Sequence, residues 1–74
     1  MVDIDNVVAR NLRAEMARRQ VTHAQLGTVL GITGAAVSSR LKGRSSWPVR
    51  DLALVASVLG VDLSVLMTEQ RESA

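Results

Sequence analysis

The stretch from Thr22 to Gly43, THAQLGTVLGITGAAVSSRLKG, decides how this chain folds. Thr22 followed three residues later by Gln25 is a capping-box pattern, and Val21 just ahead of it can staple the entry to a helix. Leu26, Val29 and Leu30 then form a short apolar stripe. Gly31 stops it, as a residue at ease with positive φ does. Ile32 plugs the turn, Thr33 can cap a second helix, and Gly43 ends that one. Two short helices joined by a tight turn are therefore predicted. The second is nearly bare: Val37 and Leu41 are its only large apolar residues, and most of the rest is Gly, Ala and Ser.

A helical wheel shows where the bareness lies. With Val37 at zero, Leu41 falls at about 40° and Gly34 at about 60°, so that side packs inward. Lys42, Ala35 and Ser39 fall at about 140°, 160° and 200°, which turns them outward, with Ala36 and Ser38 on the flanks and Arg40 at the rim. A small-residue face is what a close approach requires. The two helices must also cross closely, and Gly27 supplies the small residue at the crossing.

Outward from this pair, apolar residues at Ile4, Val8, Leu12 and Met16 recur every fourth position, with Arg10, Arg13, Glu15 and Arg18 between them. That spacing predicts an amphipathic helix over 4–20, favoured at its start by Asp3 or Asp5 and at its end by Arg18 and Arg19. Arg44-Ser45-Ser46-Trp47 reads as a loop, with Trp47 as a lid on the core. Pro48 can open a helix without losing a needed donor. Val49, Leu52, Ala53, Val55, Ala56 and Leu59 give that helix its apolar side, and Gly60 closes it. Asp62 to Met67 reads as a last short helix. The expectation is an all-α, compact five-helix bundle in one domain over 1–70, with helices at 4–20, 22–30, 33–42, 48–59 and 62–67 and a frayed tail at 71–74.

Composition narrows the class. A chain of 74 residues buries roughly 60% of its surface and stays marginal, yet its 47% hydrophobic content suffices for one core. With no cysteine there is no disulfide and no thiolate site. The first residues carry acids where a secretory signal carries bases, and no apolar run approaches the ~18 residues of a membrane span. A soluble cytoplasmic protein is expected.

The net charge of +2 hides an uneven layout. Residues 16–50 contain Arg18, Arg19, Arg40, Lys42, Arg44 and Arg50 and no acid, while all seven acids lie in the flanks. Such a window points to a polyanion-facing side.

The Thr22–Gly43 pair, with Leu26, Gly27, Leu30, Gly31, Ile32 and Val37 at these spacings, resembles the helix-turn-helix of lambda-repressor-like and Cro-like phage and bacterial regulators. The resemblance runs from about residue 5 to 67, since LALVASVLGVDLSVLM is similar to the fourth and fifth helices of those domains. It implies a small repressor or Cro-like regulator of phage or prophage type, binding a double-stranded DNA operator in a bacterial cytoplasm, at the nucleoid. The helix at 33–43 would enter the major groove.

In that family the first two residues of the second helix and one a turn later read bases, which matches Gly34, Ala35 and Ser39. Gly34 and Ala35 cannot form a bidentate amide contact with adenine. Ala35 can touch a thymine methyl, Ser38 or Ser39 can make one bond to a base edge, and Arg40 can reach a guanine or a phosphate. Some discrimination would then fall to DNA shape. Thr22, His23, Gln25, Thr33, Lys42 and Arg44 are the candidates for backbone phosphates. His23 stands where the family usually has Gln, and Arg40 where an apolar residue is commoner. Dimers of such domains set two recognition helices one DNA turn apart, and a homodimer seam is expected on Leu63–Met67. The chain has no room for a separate effector domain, so it reads as Cro-like or as the DNA-binding part of a repressor.

Rival classes are poorer fits. His23 has no Cys or second His to share a metal, so neither a metal nor another cofactor is expected. A Ser38 or Ser39 nucleophile with His23 lacks an orienting acid in the window, so no catalytic residue is assigned. The serious alternative is a protein-interaction module built on the same bundle. Salt dependence separates it from a DNA-binding domain.

Overall fold

The computed structural model describes residues 3–69, and the tail expected at 71–74 lies outside them. All regular structure among them is helical: α1 (Ile4–Arg19), α2 (His23–Leu30), α3 (Gly34–Leu41), α4 (Val49–Leu59) and α5 (Leu63–Met67). The bundle expected from the sequence is present. Each expected start at Thr22, Thr33, Pro48 and Asp62 turns out to be the extended residue just ahead of its helix. For Thr22 and Thr33 the reason is local: a capping side chain accepts from N–H groups further on only when its own backbone is not helical, whereas Pro48 and Asp62 make no side-chain cap bond. No helix here is long and apolar enough to cross a membrane.

The caps hold as read. The Thr22 hydroxyl accepts from Gln25 N–H at 3.1 Å while Gln25 Oε1 accepts from Thr22 N–H at 2.9 Å, closing the capping box. Thr33 accepts from Ala36 N–H at 3.0 Å. Gly31 ends α2 at φ 72°. The next amide, Ile32 N–H, donates back to Gly27 C=O at 2.9 Å, which aims Ile32 at the core. At the end of α1 the same left-handed turn is made by Gln20, at φ 55°.

The core gathers Val8, Leu12 and Met16 of α1, Leu26 of α2, Val37 and Leu41 of α3, and Leu52, Val55, Ala56 and Leu59 of α4. Trp47 and Leu66 close it. Four apolar residues of the sequence patterns stay outside. Ile4 and Val49 stand in the first turns of their helices and remain exposed, Ala53 is exposed on α4, and Val29 is turned to the edge of α2. On α2 the contact with α3 falls instead on Leu26 and Gly27, because the two helices approach along that line.

The polar residues of α1 do more than face solvent. Asn11, 5% exposed, donates through Nδ2 to the carbonyls of Val65, Leu66 and Thr68 at the end of α5. Arg13 Nη1 donates to the carbonyl of Leu41, the last residue of α3. Arg19 Nε donates to Leu59 C=O, the last of α4, at 2.9 Å. Helix ends leave carbonyls without intrahelical donors, and cations are favoured there. One helix therefore fastens the C-terminal ends of three others, including the helix that carries the bare face.

Candidate nucleic-acid interface

Gly27 sets the angle between α2 and α3. A Cβ on it would stand 2.6 Å from the Ile32 carbonyl oxygen and 3.2 Å from the carbonyl carbon of Thr33. Only a hydrogen fits there. The close crossing brings the start of α3 against the first turn of α2: a Cβ on Gly34 would meet Ala24 N and Cα at 3.5 Å. Two helix N-termini thus lie side by side. Each presents first-turn N–H groups that no intrahelical carbonyl can take, and each favours an anion.

Around this point Thr22, His23, Gln25 and Thr33 are all exposed. The oxygens of Thr22, Gln25 and Thr33 accept in capping, and the hydrogens these side chains can donate are not used in those bonds. Along α3, Val37 and Leu41 are buried, Ala35 and Lys42 are exposed, and Ser38 and Ser39 are half-buried. The bare outward face is real. Beyond α3, a left-handed turn at Gly43 (φ 77°) returns the chain, with Arg44 N–H bonded to Ser39 C=O at 3.0 Å. This places Ser45 Oγ 3.5 Å from Ser39 Oγ, so Ser45 joins the face. No periodicity marks a loop serine, and sequence reasoning passed over it.

Two of the expected base-reading residues are placed differently. Gly34 faces α2, on the inward side the wheel gives it and not on the outward face: a Cβ there would meet Ala24 at an ordinary contact distance of 3.5 Å. Arg40 is turned toward α4. Its Nη1 donates to Asp51 Oδ2 at 2.8 Å, and its guanidinium carbon lies 5.4 Å from the centre of the Trp47 ring. The side chains of Arg40 and Asp51 are only 16% and 21% exposed. Arg40 covers Trp47, itself buried as the lid expected from the sequence, as an arginine stem and planar head can. We therefore expect Arg40→Ala to lower stability by about 1–3 kcal/mol, leaving Asp51 poorly solvated and unpaired. Its melting temperature should fall while DNA affinity at temperatures where it is folded stays within a few-fold of native.

The acid-free window also looks different when folded. The two acids that bound it, Glu15 and Asp51, fold back on it. Glu15 pairs with Arg18 and Arg19 at 2.7 Å each, and Asp51 takes Arg40. Of the six cations, Lys42, Arg44 and Arg50 keep exposed side chains with no partner among the described residues. Lys42 and Arg44 flank the bare face at the exit of α3, whereas Arg50 lies in the first turn of α4.

The seam expected on Leu63–Met67 is largely taken up by the fold. Leu66 is wholly buried and Leu63 packs on the core, because α5 is held against α1 and α4. Met67, 40% exposed, is its most open large apolar residue.

The family model described as the BetR domain matches residues 3–74. No curated protein and no solved structure matches the chain at a significant level.

Proposed function

The chain belongs to the BetR domain family, a family of small helical, helix-turn-helix-like DNA-binding domains, and from that premise we propose that it binds a specific duplex site as a transcriptional regulator. The reading is of a repressor or Cro-like protein of phage or prophage type, acting in a bacterial cytoplasm without catalysis or a cofactor. The observation that carries it is the outward face of α3. With its side chains an α-helix is about 10–12 Å across, which the ~12 Å-wide major groove of B-DNA admits. That face carries nothing larger than Ser until Lys42, so the helix axis can come close to the base edges.

In this reading Ala35 meets a thymine methyl, and Ser38 or Ser39 makes a single bond to a base edge. The adjoining N-termini of α2 and α3, with Thr22, His23, Gln25 and Thr33, take one stretch of phosphates. Lys42 and Arg44 take another. With so few base-edge contacts, sequence-dependent groove width and stiffness supply much of the discrimination. Two copies on a near-palindromic operator would set their α3 helices ~34 Å apart.

Salt titration of the DNA affinity tests the electrostatic half. The affinity should fall linearly on a log–log plot, and Lys42→Ala and Arg44→Ala should each weaken binding about equally on all sequences and lessen the slope by about one. A slope near zero, unchanged in both variants, would favour a protein-interaction module instead.

A further inference from the structure

The segment that leaves α3 carries Lys42 and Arg44, yet it does little to hold itself in place. A helix leaves its last four carbonyls without intrahelical donors. In α3 the turn satisfies three of them: Ser38, Arg40 and Ser39 C=O accept from the N–H groups of Lys42, Gly43 and Arg44 at 3.0, 3.1 and 3.0 Å. The fourth, Leu41 C=O, accepts from Arg13 Nη1 of α1, 28 residues away in the chain. Beyond Arg44, none of Ser45, Ser46 and Trp47 makes a backbone–backbone hydrogen bond. Here too α1 supplies the partner. Asp5 Oδ1 accepts from Trp47 N–H and Asp5 Oδ2 from Ser46 Oγ, at 3.3 Å each. Asn6, next to Asp5 in the chain, lies against the turn itself: a Cβ on Gly43 would stand 2.8 Å from Asn6 Oδ1.

By charge alone Asp5 is misplaced. An acid bonded to the loop of Lys42 and Arg44 weakens the pull of that loop on a polyanion. Its geometry gives another reason for it, since both carboxylate oxygens are taken by donors of the loop. We infer that Asp5 and Arg13 are positioning residues for the DNA surface: from α1 they fix the exit of α3, and so where Lys42 and Arg44 stand against the phosphates. The inference rests on the regulator reading above. Its physical basis is preorganisation. Ordering a loop and its long side chains on binding costs affinity, and a loop already tied at both ends has less order left to gain.

Arg13→Met keeps the stem and loses the donor, while Asp5→Ala loses both acceptors. Hydrogen exchange reads these ties without DNA. The reference amide is that of Ile32, which closes α2 and is bonded to neither residue. Relative to it, the amides of Lys42, Gly43 and Arg44 in Arg13→Met, and that of Trp47 in Asp5→Ala, should exchange at least about fivefold faster than in the native chain.

Duplex affinity then separates placement from charge. Each substitution should weaken binding at least about fivefold, although Asp5→Ala removes a negative charge and on charge alone would tighten it. In a chain that already carries Lys42→Ala and Arg44→Ala, the same substitutions should cost less than about twofold, because the groups that they place are gone. Three results would each overturn the inference. One is an Asp5→Ala chain that binds as tightly as native or more so. Another is an undiminished cost of Arg13→Met without the two cations, as a direct phosphate contact gives. The third is loop amides that keep pace with Ile32. A native chain with no affinity for duplex DNA ends the regulator reading itself, and this inference with it.

Discussion

Ala35→Glu and Ser39→Glu are each expected to weaken binding to duplex DNA by at least about a hundredfold while leaving the helical fold in place. A carboxylate on the outward face of α3 would be brought among stacked bases and phosphates, where it meets like charge and loses water without gaining a donor. Ala35→Glu is the more telling of the two. Ala35 is exposed in the first turn of α3, which carries no acid. An acid in that turn is favourable to the helix by about 0.3–1 kcal/mol. The variant should therefore melt no earlier than the native chain, and its loss of binding cannot come from a loss of fold. Ser39 is half-buried beside Ser45, so its variant needs a melting curve measured alongside. Gel-shift affinities equal to native for a folded Ala35→Glu would remove this face from the DNA-binding surface.

Gly27→Ala is expected to be the most damaging small substitution in the chain. The added methyl would lie 2.6 Å from a backbone oxygen, and that oxygen belongs to the turn that positions α3. Backbone cannot swing aside as a flexible side chain can, so either the turn shifts or α2 and α3 separate. Overpacking of this kind costs typically 1–3 kcal/mol and occasionally more. Stabilities of roughly 0.05–0.15 kcal/mol per residue put the whole domain at about 4–11 kcal/mol. The expected fall in melting temperature is about 10–20 °C. Where the variant still folds, its DNA affinity should fall as well, because α3 no longer lies at its native angle. By contrast, Gly31→Asn should be mild: nothing lies within 4 Å of the site, and Asn tolerates the left-handed turn. A Gly27→Ala chain that melts with the native one would mean that the close crossing carries no load.

Much of this molecule is legible from local pattern. The capping box at Thr22 and Gln25, the stop at Gly31 and the fourfold spacing of Val8, Leu12 and Met16 depend on residues within a turn or two of one another. Backbone geometry alone relates them. The wheel of α3 is of the same kind, and it identifies Val37 and Leu41 as buried and Ala35 and Lys42 as open without any knowledge of neighbours. The same wheel leaves Arg40 at a rim, and there its fate depends on what passes nearby.

The structure changed the reading wherever residues far apart in the chain meet. Arg40 and Asp51 belong to different helices, and their pairing removes a cation from the candidate DNA surface. Asn11, Arg13 and Arg19 look like the solvent side of α1 until the ends of α5, α3 and α4 arrive above them. Ser45 reaches the bare face only because the turn at Gly43 folds the loop back.

The division follows from the range of the forces involved. Helix identity, caps and the emptiness of the α3 face come from steric and hydrogen-bonding rules acting over a few residues, and the order of amino acids settles them unaided. Which charges remain available to a polyanion depends on through-space encounters between α1, α3 and α4. Only the packed chain decides those, since a guanidinium binds whichever carboxylate the fold brings within about 3 Å.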